Sequence, residues 1–365
     1  MMQHMQCPII RSSAVAKLAK GLAKLAILLL IACVVFVVAL ALAHRKPPPT
    51  LALAIERDGR TGKWPNQLNV LTWNLGYAGT GEEADFFLNG GHDVIAKNKA
   101  TVLRHLTNIS KTLRENPEDV YFLQEVDLQS RRTYQINELA FLAGSLWEFA
   151  YSFAFNHDVW FVPYPFTRPM GRVRSGLVTL GSYRPSEATR VQLPGSFIWP
   201  ISAFGLDRCL LVWRLPREDG KEWVLINLHL SAWDPKGNIR EQELTFINDF
   251  ASREYNLGNF VVIGGDWNSV LPGVRLDQFP SQDKPSRYVK TLSQTVFPKE
   301  WHWGIETSHP SDRQINTPYV PGKTYLTIID GFLVSPNVRI ESTRVLALDF
   351  KDSDHEPVTI SLAAP

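Results

Sequence analysis

Hydrophobic residues fall into two patterns along the chain. The first is one unbroken apolar run of 19 residues, Leu25 to Ala43 (LAILLLIACVVFVVALALA). A helix needs about 20 residues to cross the hydrocarbon core of a bilayer. A core helix of the same length would carry a polar face, and this run has none. It therefore predicts a membrane-inserted helix. Arg11, Lys17, Lys20 and Lys24 precede it, which predicts a cytoplasmic N-terminus (1–24) and export of residues 44–365. Arg45 and Lys46, on the far side, weigh against that orientation. Ala41-Leu42-Ala43 resembles the end of a cleavable signal. The run is longer than the usual h-region of about 7–15 residues, which favours a retained anchor. Leu30-Ile31-Ala32-Cys33 resembles a lipoprotein box, but ten apolar residues after the cysteine make a poor mature start. Pro47-Pro48-Pro49 predicts a stiff exit from the span within a linker over 44–65.

The second pattern is a series of short β-prone runs. These are Leu68–Trp73, Val120–Leu123, Glu148–Phe155, Gly176–Leu180, Cys209–Leu215, Trp223–Leu230, Phe260–Gly264, Tyr325–Val334 and Val358–Leu362. In Glu148–Phe155 the aromatics Phe149, Tyr151, Phe153 and Phe155 alternate with smaller residues, which is strand period. Two stretches read as helices. Ile95 to Arg114 spaces Val102, Leu106, Ile109 and Leu113 by three and four and stops at Asn116-Pro117. Asn238 to Ala251 carries Leu244, Ile247 and Ala251 on one stripe and begins with a capping-box-like pair, Asn238 and Glu241. Residues 66–365 have no repeat and no internal boundary, which predicts one α/β sandwich domain.

Polar residues collect at the ends of these strands. Leu68–Trp73 runs into Asn74, Val120–Leu123 into Gln124-Glu125, Val224–Leu228 into His229, and Val261–Gly265 into Asp266-Trp267-Asn268. Asp330 follows Tyr325–Ile329, and Ser353-Asp354-His355 precedes the last strand. Turn preference accounts for any one of these residues. Six such places in one domain, all with metal-competent or proton-competent side chains, ask for more, because a rigid strand end holds a catalytic group within tight tolerance. Glu125 and Asn74 offer hard oxygen ligands suited to Mg²⁺ or Mn²⁺, with Asp354 as a further ligand. Asp266 can orient a water. Asn268 can donate to a phosphate oxygen without repelling it. His229 and His355 can exchange protons near neutral pH, and Asp330 can orient a histidine. Together these are the requirements of phosphoester hydrolysis.

Charge sharpens this picture. The net charge of +2 conceals an asymmetry. Nine of the 38 basic residues but only two of the 36 acidic ones lie in residues 1–65, leaving 29 and 34 in the remainder. A slightly acidic body argues against a nucleic-acid binder built on a large basic surplus. Three cysteines, Cys7, Cys33 and Cys209, have no metal-ligand spacing and exclude a disulfide-dense scaffold. The apolar content of 45% is that of a folded protein.

The ordered set Leu71-Thr72-Trp73-Asn74, Leu123-Gln124-Glu125-Val126, Asn227-Leu228-His229-Leu230, Gly265-Asp266-Trp267-Asn268-Ser269, Ile329-Asp330-Gly331-Phe332 and Ser353-Asp354-His355-Glu356-Pro357 resembles the endonuclease/exonuclease/phosphatase superfamily. That superfamily includes deoxyribonuclease-like enzymes, AP endonucleases, neutral sphingomyelinases and inositol polyphosphate 5-phosphatases. The resemblance implies a four-layer α-β-β-α sandwich and a Mg²⁺-dependent or Mn²⁺-dependent phosphoesterase. It implies that Glu125 binds the metal with Asn74 and Asp354 nearby, and that Asp266 and Asn268 position water and phosphate. It further implies that His355, paired with Asp330, transfers a proton or binds phosphate. His229 resembles the histidine of the branches other than the AP endonucleases. Arg174, in Arg172-Val173-Arg174-Ser175-Gly176-Leu177, falls where family members often place a phosphate-contacting side chain.

Residues 141–166 carry ten aromatics. Phe149 to Phe155 read as core strand, whereas Trp160-Phe161-Val162-Pro163-Tyr164-Pro165-Phe166 lack alternation and suit a membrane interface. Gly76-Tyr77-Ala78-Gly79-Thr80-Gly81 lacks the spacing of a dinucleotide fingerprint and reads as a flexible rim. A tethered, slightly acidic catalytic domain favours a phospholipid or lipid-linked head group as substrate. A tethered or exported nuclease acting on nucleic acid is the alternative. An inactive scaffold on the same fold is the third reading, disfavoured because every metal and histidine position is filled.

Overall fold

The computed structural model describes residues 10–43, 47–60, 65–199, 201–234 and 236–365. Cys7, the Arg45-Lys46 pair and the end of the expected linker (61–64) lie outside the described residues. In chain order the elements are α1 (Ile10–Ala43), β1 (Thr50–Ala52), β2 (Gln67–Asn74), α2 (Lys99–Glu115), β3 (Val120–Asp127), α3 (Glu138–Ser145), β4 (Ala150–Val162) and β5 (Gly171–Gly181). There follow β6 (Glu187–Gln192), β7 (Cys209–Pro216), β8 (Glu222–His229), α4 (Asn238–Asn256), β9 (Phe260–Asp266) and β10 (His302–Gly304). The last are β11 (Asp312–Arg313), β12 (Leu326–Thr327), β13 (Asp330–Val334), β14 (Arg339–Val345) and β15 (Val358–Ala363).

Two sheets form the body. One has the order β1-β6-β7-β8-β9-β13-β10 and the other β14-β15-β2-β3-β5-β4. Each has one parallel pair near its centre, β8 with β9 and β2 with β3, among antiparallel neighbours. The sheets face each other across a core that includes Leu68, Phe122, Leu177, Trp213, Leu225, Val262, Phe332 and Ile360. Helices α2 and α3 cover the outer face of the six-stranded sheet, and α4 covers that of the seven-stranded one. This is the expected four-layer α-β-β-α arrangement. The alternation in β4 places Ala150 and Ala154 in the inter-sheet core and sets Phe149, Tyr151 and Phe153 against the helical layer.

Helix α2 follows the predicted stripe. Asn98 caps it by accepting from the Thr101 N–H at 2.8 Å. Helix α4 is capped differently from the expected Asn238–Glu241 box. Asn238 is its first residue, Gly237 precedes it at φ 79°, and the Asp234 carboxylate accepts from the Gly237, Ile239 and Arg240 N–H groups. A carboxylate there also complements the helix dipole. The run Tyr325–Val334 is two strands rather than one, because the chain leaves β12, which pairs with β11 in a separate two-stranded sheet, and enters the seven-stranded sheet at Asp330. Inside the expected linker, β1 pairs with β6 and extends the seven-stranded sheet, while Leu53 and Ile55 pack on its core. Cys209 is buried, and that burial pushes its thiol up to about 11, so it is chemically quiet.

The sheets are also joined by a buried polar bridge. Gln124 on β3 donates to Asn227 Oδ1 on β8 at 2.8 Å and to Thr72 Oγ1 on β2 at 3.1 Å. Asn227 in turn donates to the Val178 carbonyl on β5 at 2.9 Å. Truncating Asn227 removes one bond from the buried Gln124 amide and one from the Val178 carbonyl, at a cost of about 1–3 kcal/mol. Asn227→Ala is therefore expected to lower the unfolding free energy in urea by that amount without altering the denaturant slope, with Thr107→Ala on the exposed face of α2 as a near-neutral control.

Candidate active site

The parallel and antiparallel registers bring the strand-end residues into one row. His229 pairs with Asp266 across β8 and β9, and Asp330 pairs with Asp266 across β9 and β13. Neighbouring strands lie about 4.8 Å apart, so the three side chains occupy adjacent places. Asn74 and Gln124 hold the corresponding row on the facing sheet. Gly265 permits the close strand pairing. It sits at φ 147°, and a Cβ there would lie 2.0 Å from the Leu228 carbonyl oxygen.

Asp266 is the hub. Its Oδ2 accepts from Asn74 Nδ2 at 3.0 Å and lies 3.2 Å from His229 Nε2, 3.3 Å from Asn268 Nδ2 and 3.9 Å from His355 Nε2. Its Oδ1 accepts from the Asn268 N–H at 2.8 Å. Asn268 adopts φ 46° to make this turn, and its amide also donates to the Leu230 carbonyl at 2.9 Å. Glu125 sits at φ 54°, in the bulge where β3 slips against β5 between Leu123 and Val126. A left-handed non-glycine residue is strained, and such strain collects at functional sites. The bulge turns Glu125 toward the cleft, where its Oε1 comes within 3.9 Å of His229 Nε2.

The loop Ser353-Asp354-His355 is pinned from three sides. Trp73 Nε1 donates to the His355 carbonyl at 2.8 Å, and Ser353 Oγ donates to the Asn74 carbonyl at 2.8 Å. Arg313 N–H donates to the Asp354 carbonyl at 3.0 Å. His355 Nδ1 meets Asp330 Oδ2 at 2.9 Å. The same oxygen accepts from Ser311 Oγ at 2.8 Å. Asp354 Oδ1 accepts from Thr80 Oγ1 at 2.5 Å.

The two histidines are driven apart in charge. Burial lowers the His229 pKa well below the usual value, and the positive charges of Arg208, His355 and Arg132 lower it further, so it is neutral near pH 7. Burial alone would do the same to His355. The carboxylates of Asp330, Asp354 and Asp266 outweigh it and raise His355 well above the usual value. Burial chiefly raises Asp312 to about 8, with Asp354, Asp330 and Asp266 adding repulsion against the attraction of His355. Burial also raises Glu125, and Asp354 adds to the rise while Arg132 opposes it. A pair of titratable groups pushed in opposite directions offers one acid and one base.

The donor chemistry fits a hard divalent cation. Carboxylate or imidazole atoms of Asp266, Asp330 and His355 lie within 4.8 Å of one another, as do those of Asp312, Asp354 and His355. Asp330 Oδ1 is buried with no hydrogen-bond partner among the described residues. Glu125 Oε1 lies 3.9 Å from His229 Nε2, and Asn74 Oδ1 accepts from the Gly76 N–H at 3.0 Å while its Nδ2 meets Asp266.

The strand-end pattern does not reveal every polar group of the cleft. Arg208 Nη2 lies 3.0 Å from His229 Nε2. Arg208 immediately precedes β7, which runs antiparallel to β8, so a strand start falls beside a strand end. Asp312 bridges to His355 in backbone pairing and sets Oδ1 3.7 Å from its Nε2. Arg132 forms a two-pronged pair with Asp127 and stacks 3.7 Å over the Tyr77 ring. Arg174, by contrast, is not brought to the cluster. It bonds Asp158 at 3.2 Å and lies over the Phe155 ring.

The sequence profile of the Endonuclease/Exonuclease/phosphatase family matches residues 71–355. No curated protein matches the sequence. Among solved structures, an endonuclease/exonuclease/phosphatase from Beutenbergia cavernae is 16% identical, with a TM-score of 0.55 over 82% of this chain and 72% of that one. TDP2 from Caenorhabditis elegans is 14% identical, with a TM-score of 0.51 over 82% of this chain and 74% of that one. A family protein from Bacteroides thetaiotaomicron is 16% identical, with a TM-score of 0.51 over 83% and 97% of the two chains. At these identities the likeness is one of fold.

Behind His229, Glu243 accepts from Ser231 Oγ at 2.7 Å and from its N–H at 3.0 Å, and burial pushes its pKa up to about 7. The folded state thus holds a proton that the unfolded chain releases near 4.5, and stability falls as pH rises from that value to about 7. Glu243→Gln lacks this loss. Its stability relative to wild type should grow by up to about 3 kcal/mol between mildly acidic and mildly alkaline buffer, followed by urea unfolding across the range.

Proposed function

Because the chain belongs to the endonuclease/exonuclease/phosphatase family, whose members are metal-dependent hydrolases of phosphoester bonds, we propose that it hydrolyses a phosphoester held at a membrane surface, a phospholipid or lipid-linked head group. The observation that carries the reading is the convergence of Asn74, Glu125, His229, Asp266, Asn268, Asp330, Asp354 and His355 in one cluster at the ends of the two sheets. Helix α1 supports the membrane part. Its segment Ala14–Leu42 is long and apolar enough to cross a bilayer, and its side chains are almost wholly exposed.

Glu125, Asn74 and Asp354 would hold the divalent cation, taken to be Mg²⁺ or Mn²⁺. When bound, it neutralises phosphoryl charge and lowers the pKa of water. Asp266, which accepts from three amide donors, orients the attacking water. His355, protonated and braced by Asp330, donates to a phosphoryl or leaving oxygen. His229 stays neutral between Arg208 and Asp266 and can accept a proton. Arg208 supplies a fixed positive charge at the same place.

Full-length protein in mixed micelles is expected to release phosphorylated head groups in the presence of Mg²⁺ and to leave plasmid DNA intact. Nicking without lipid cleavage would replace this reading with the nuclease. His355→Ala should slow turnover by about 10²–10⁴-fold, and Asp330→Asn by less, with both folded by circular dichroism. Glu125→Ala should weaken Mn²⁺ binding measured by electron paramagnetic resonance, a readout independent of turnover. Unchanged Mn²⁺ affinity in that variant would remove Glu125 from the ligand set.

A further inference from the structure

The hairpin formed by β4 and β5 runs on past the catalytic end of β3. Asp127 pairs with Ser175, so Gly171–Arg174 and their partners Asp158–Val162 project beyond Glu125. The projecting tip exposes large apolar side chains. Trp160 is 66% exposed and Phe166 83%, with Tyr164 also exposed between them. A second apolar segment stands beside it. The loop between β6 and β7 begins next to Cys209 and ends at Arg208, at the His229 end of its sheet. It exposes Ile198 (81%) and Trp199 (61%) together with Ile201. The two segments touch through Asp207 N–H to the Asn156 carbonyl at 2.8 Å and His157 Nε2 to the Phe204 carbonyl at 3.3 Å. Tyr164 packs against Phe87 at 5.6 Å, and Phe86 packs against Trp233, four residues after His229. Exposed apolar side chains therefore rim the catalytic mouth, and contiguous patches of that kind mark interaction sites.

Helix α1 identifies the partner. Its Phe36 meets Phe161, at the base of the hairpin tip, edge-on at 5.9 Å, and Leu40 is buried. Phe36 lies seven residues before the end of α1 at Ala43, about 10 Å along a helix axis. A ring beside Phe36 thus sits about 10 Å inside the end of the apolar segment, close to the insertion depth of about 5–10 Å of interfacial side chains. Trp and Tyr favour that zone. Arg131, Arg168 and Arg172 are exposed at the same end of the hairpin, where anionic head groups would meet them. We propose that the aromatic rim of the catalytic mouth is a lipid-docking surface, seated in the bilayer that α1 spans. Trp160, Phe166 and Trp199 are its anchors. The proposal rests on the reading of α1 as a span. It holds the cleft against the membrane and restricts access to phosphoesters at the surface of that same leaflet.

The eleven tryptophans all lie outside α1, so quenching by bilayer-borne bromine reports the body alone. The full-length protein is reconstituted in phosphatidylcholine vesicles with bromine either near the head of the acyl chain or near its methyl end. Shallow bromine is expected to quench part of the emission and deep bromine much less. Trp160→Phe with Trp199→Phe should lose most of the quenchable part, and Trp147→Phe should keep it. Equal emission in brominated and plain vesicles, or quenching that survives the double variant, overturns the proposal. Release of the chain from vesicles by alkaline carbonate overturns it together with the span. Quenching without phospholipid hydrolysis supports the docking surface and removes the lipid substrate instead.

Discussion

One buried amide contact sets the terms for everything at the catalytic end. Gln124 and Asn227 come from different sheets and meet at 2.8 Å, both shut away from solvent. Apolar packing around Phe122 and Phe332 holds the sheets together but has no preferred direction. A hydrogen bond has one. It therefore fixes how one sheet slides over the other, and hence how residues 74 and 125 face residues 229, 266 and 355. Side chains 192 positions apart, Asn74 and Asp266, can share a hydrogen bond only because that slide is settled. Small residues complete the fit. Gly264 leaves room for the Phe332 ring, which a Cβ would approach to 2.5 Å.

The second constraint is electrostatic. Asp266, Asp312, Asp330 and Asp354 are all at least largely buried, with Glu125 beside them. Burying one carboxylate is costly, and burying several together is more so. The chain offsets part of this with His355, Arg132 and Arg208. What is left is an accumulation of hard oxygen that a divalent cation would relieve. The same field explains why the two histidines differ. His355 lies among carboxylates and keeps its proton, whereas His229 faces Arg208 and does not.

The sandwich and most of the cleft are legible in the sequence because both rest on local pattern. Strand period and the polar residue that stops each run locate Asn74, Glu125, His229, Asp266 and His355 without any knowledge of contacts. Residues that join the cleft from elsewhere leave no such trace. Arg208 stands before a strand rather than after one, and only antiparallel pairing makes the two places equivalent. Asp312 belongs to a two-residue strand with no period to read. Arg174 shows the opposite failure. Its segment has the right form, but its side chain finds Asp158 within its own hairpin. The short strand β1 is hidden by its neighbours, since three prolines read as a spacer whether or not the chain then joins a sheet.

That short strand has a mechanical consequence. Only six residues separate Ala43 from Thr50, a contour of at most about 25 Å between those two residues. Because β1 is stitched into the sheet, this tether ends on the rigid body itself and no slack lies beyond it. With α1 spanning a bilayer as proposed, a molecule leashed so closely would not search a volume. It would patrol a plane, and its encounters would be governed by lateral diffusion and by how many target molecules share its patch of surface, rather than by their concentration in solution.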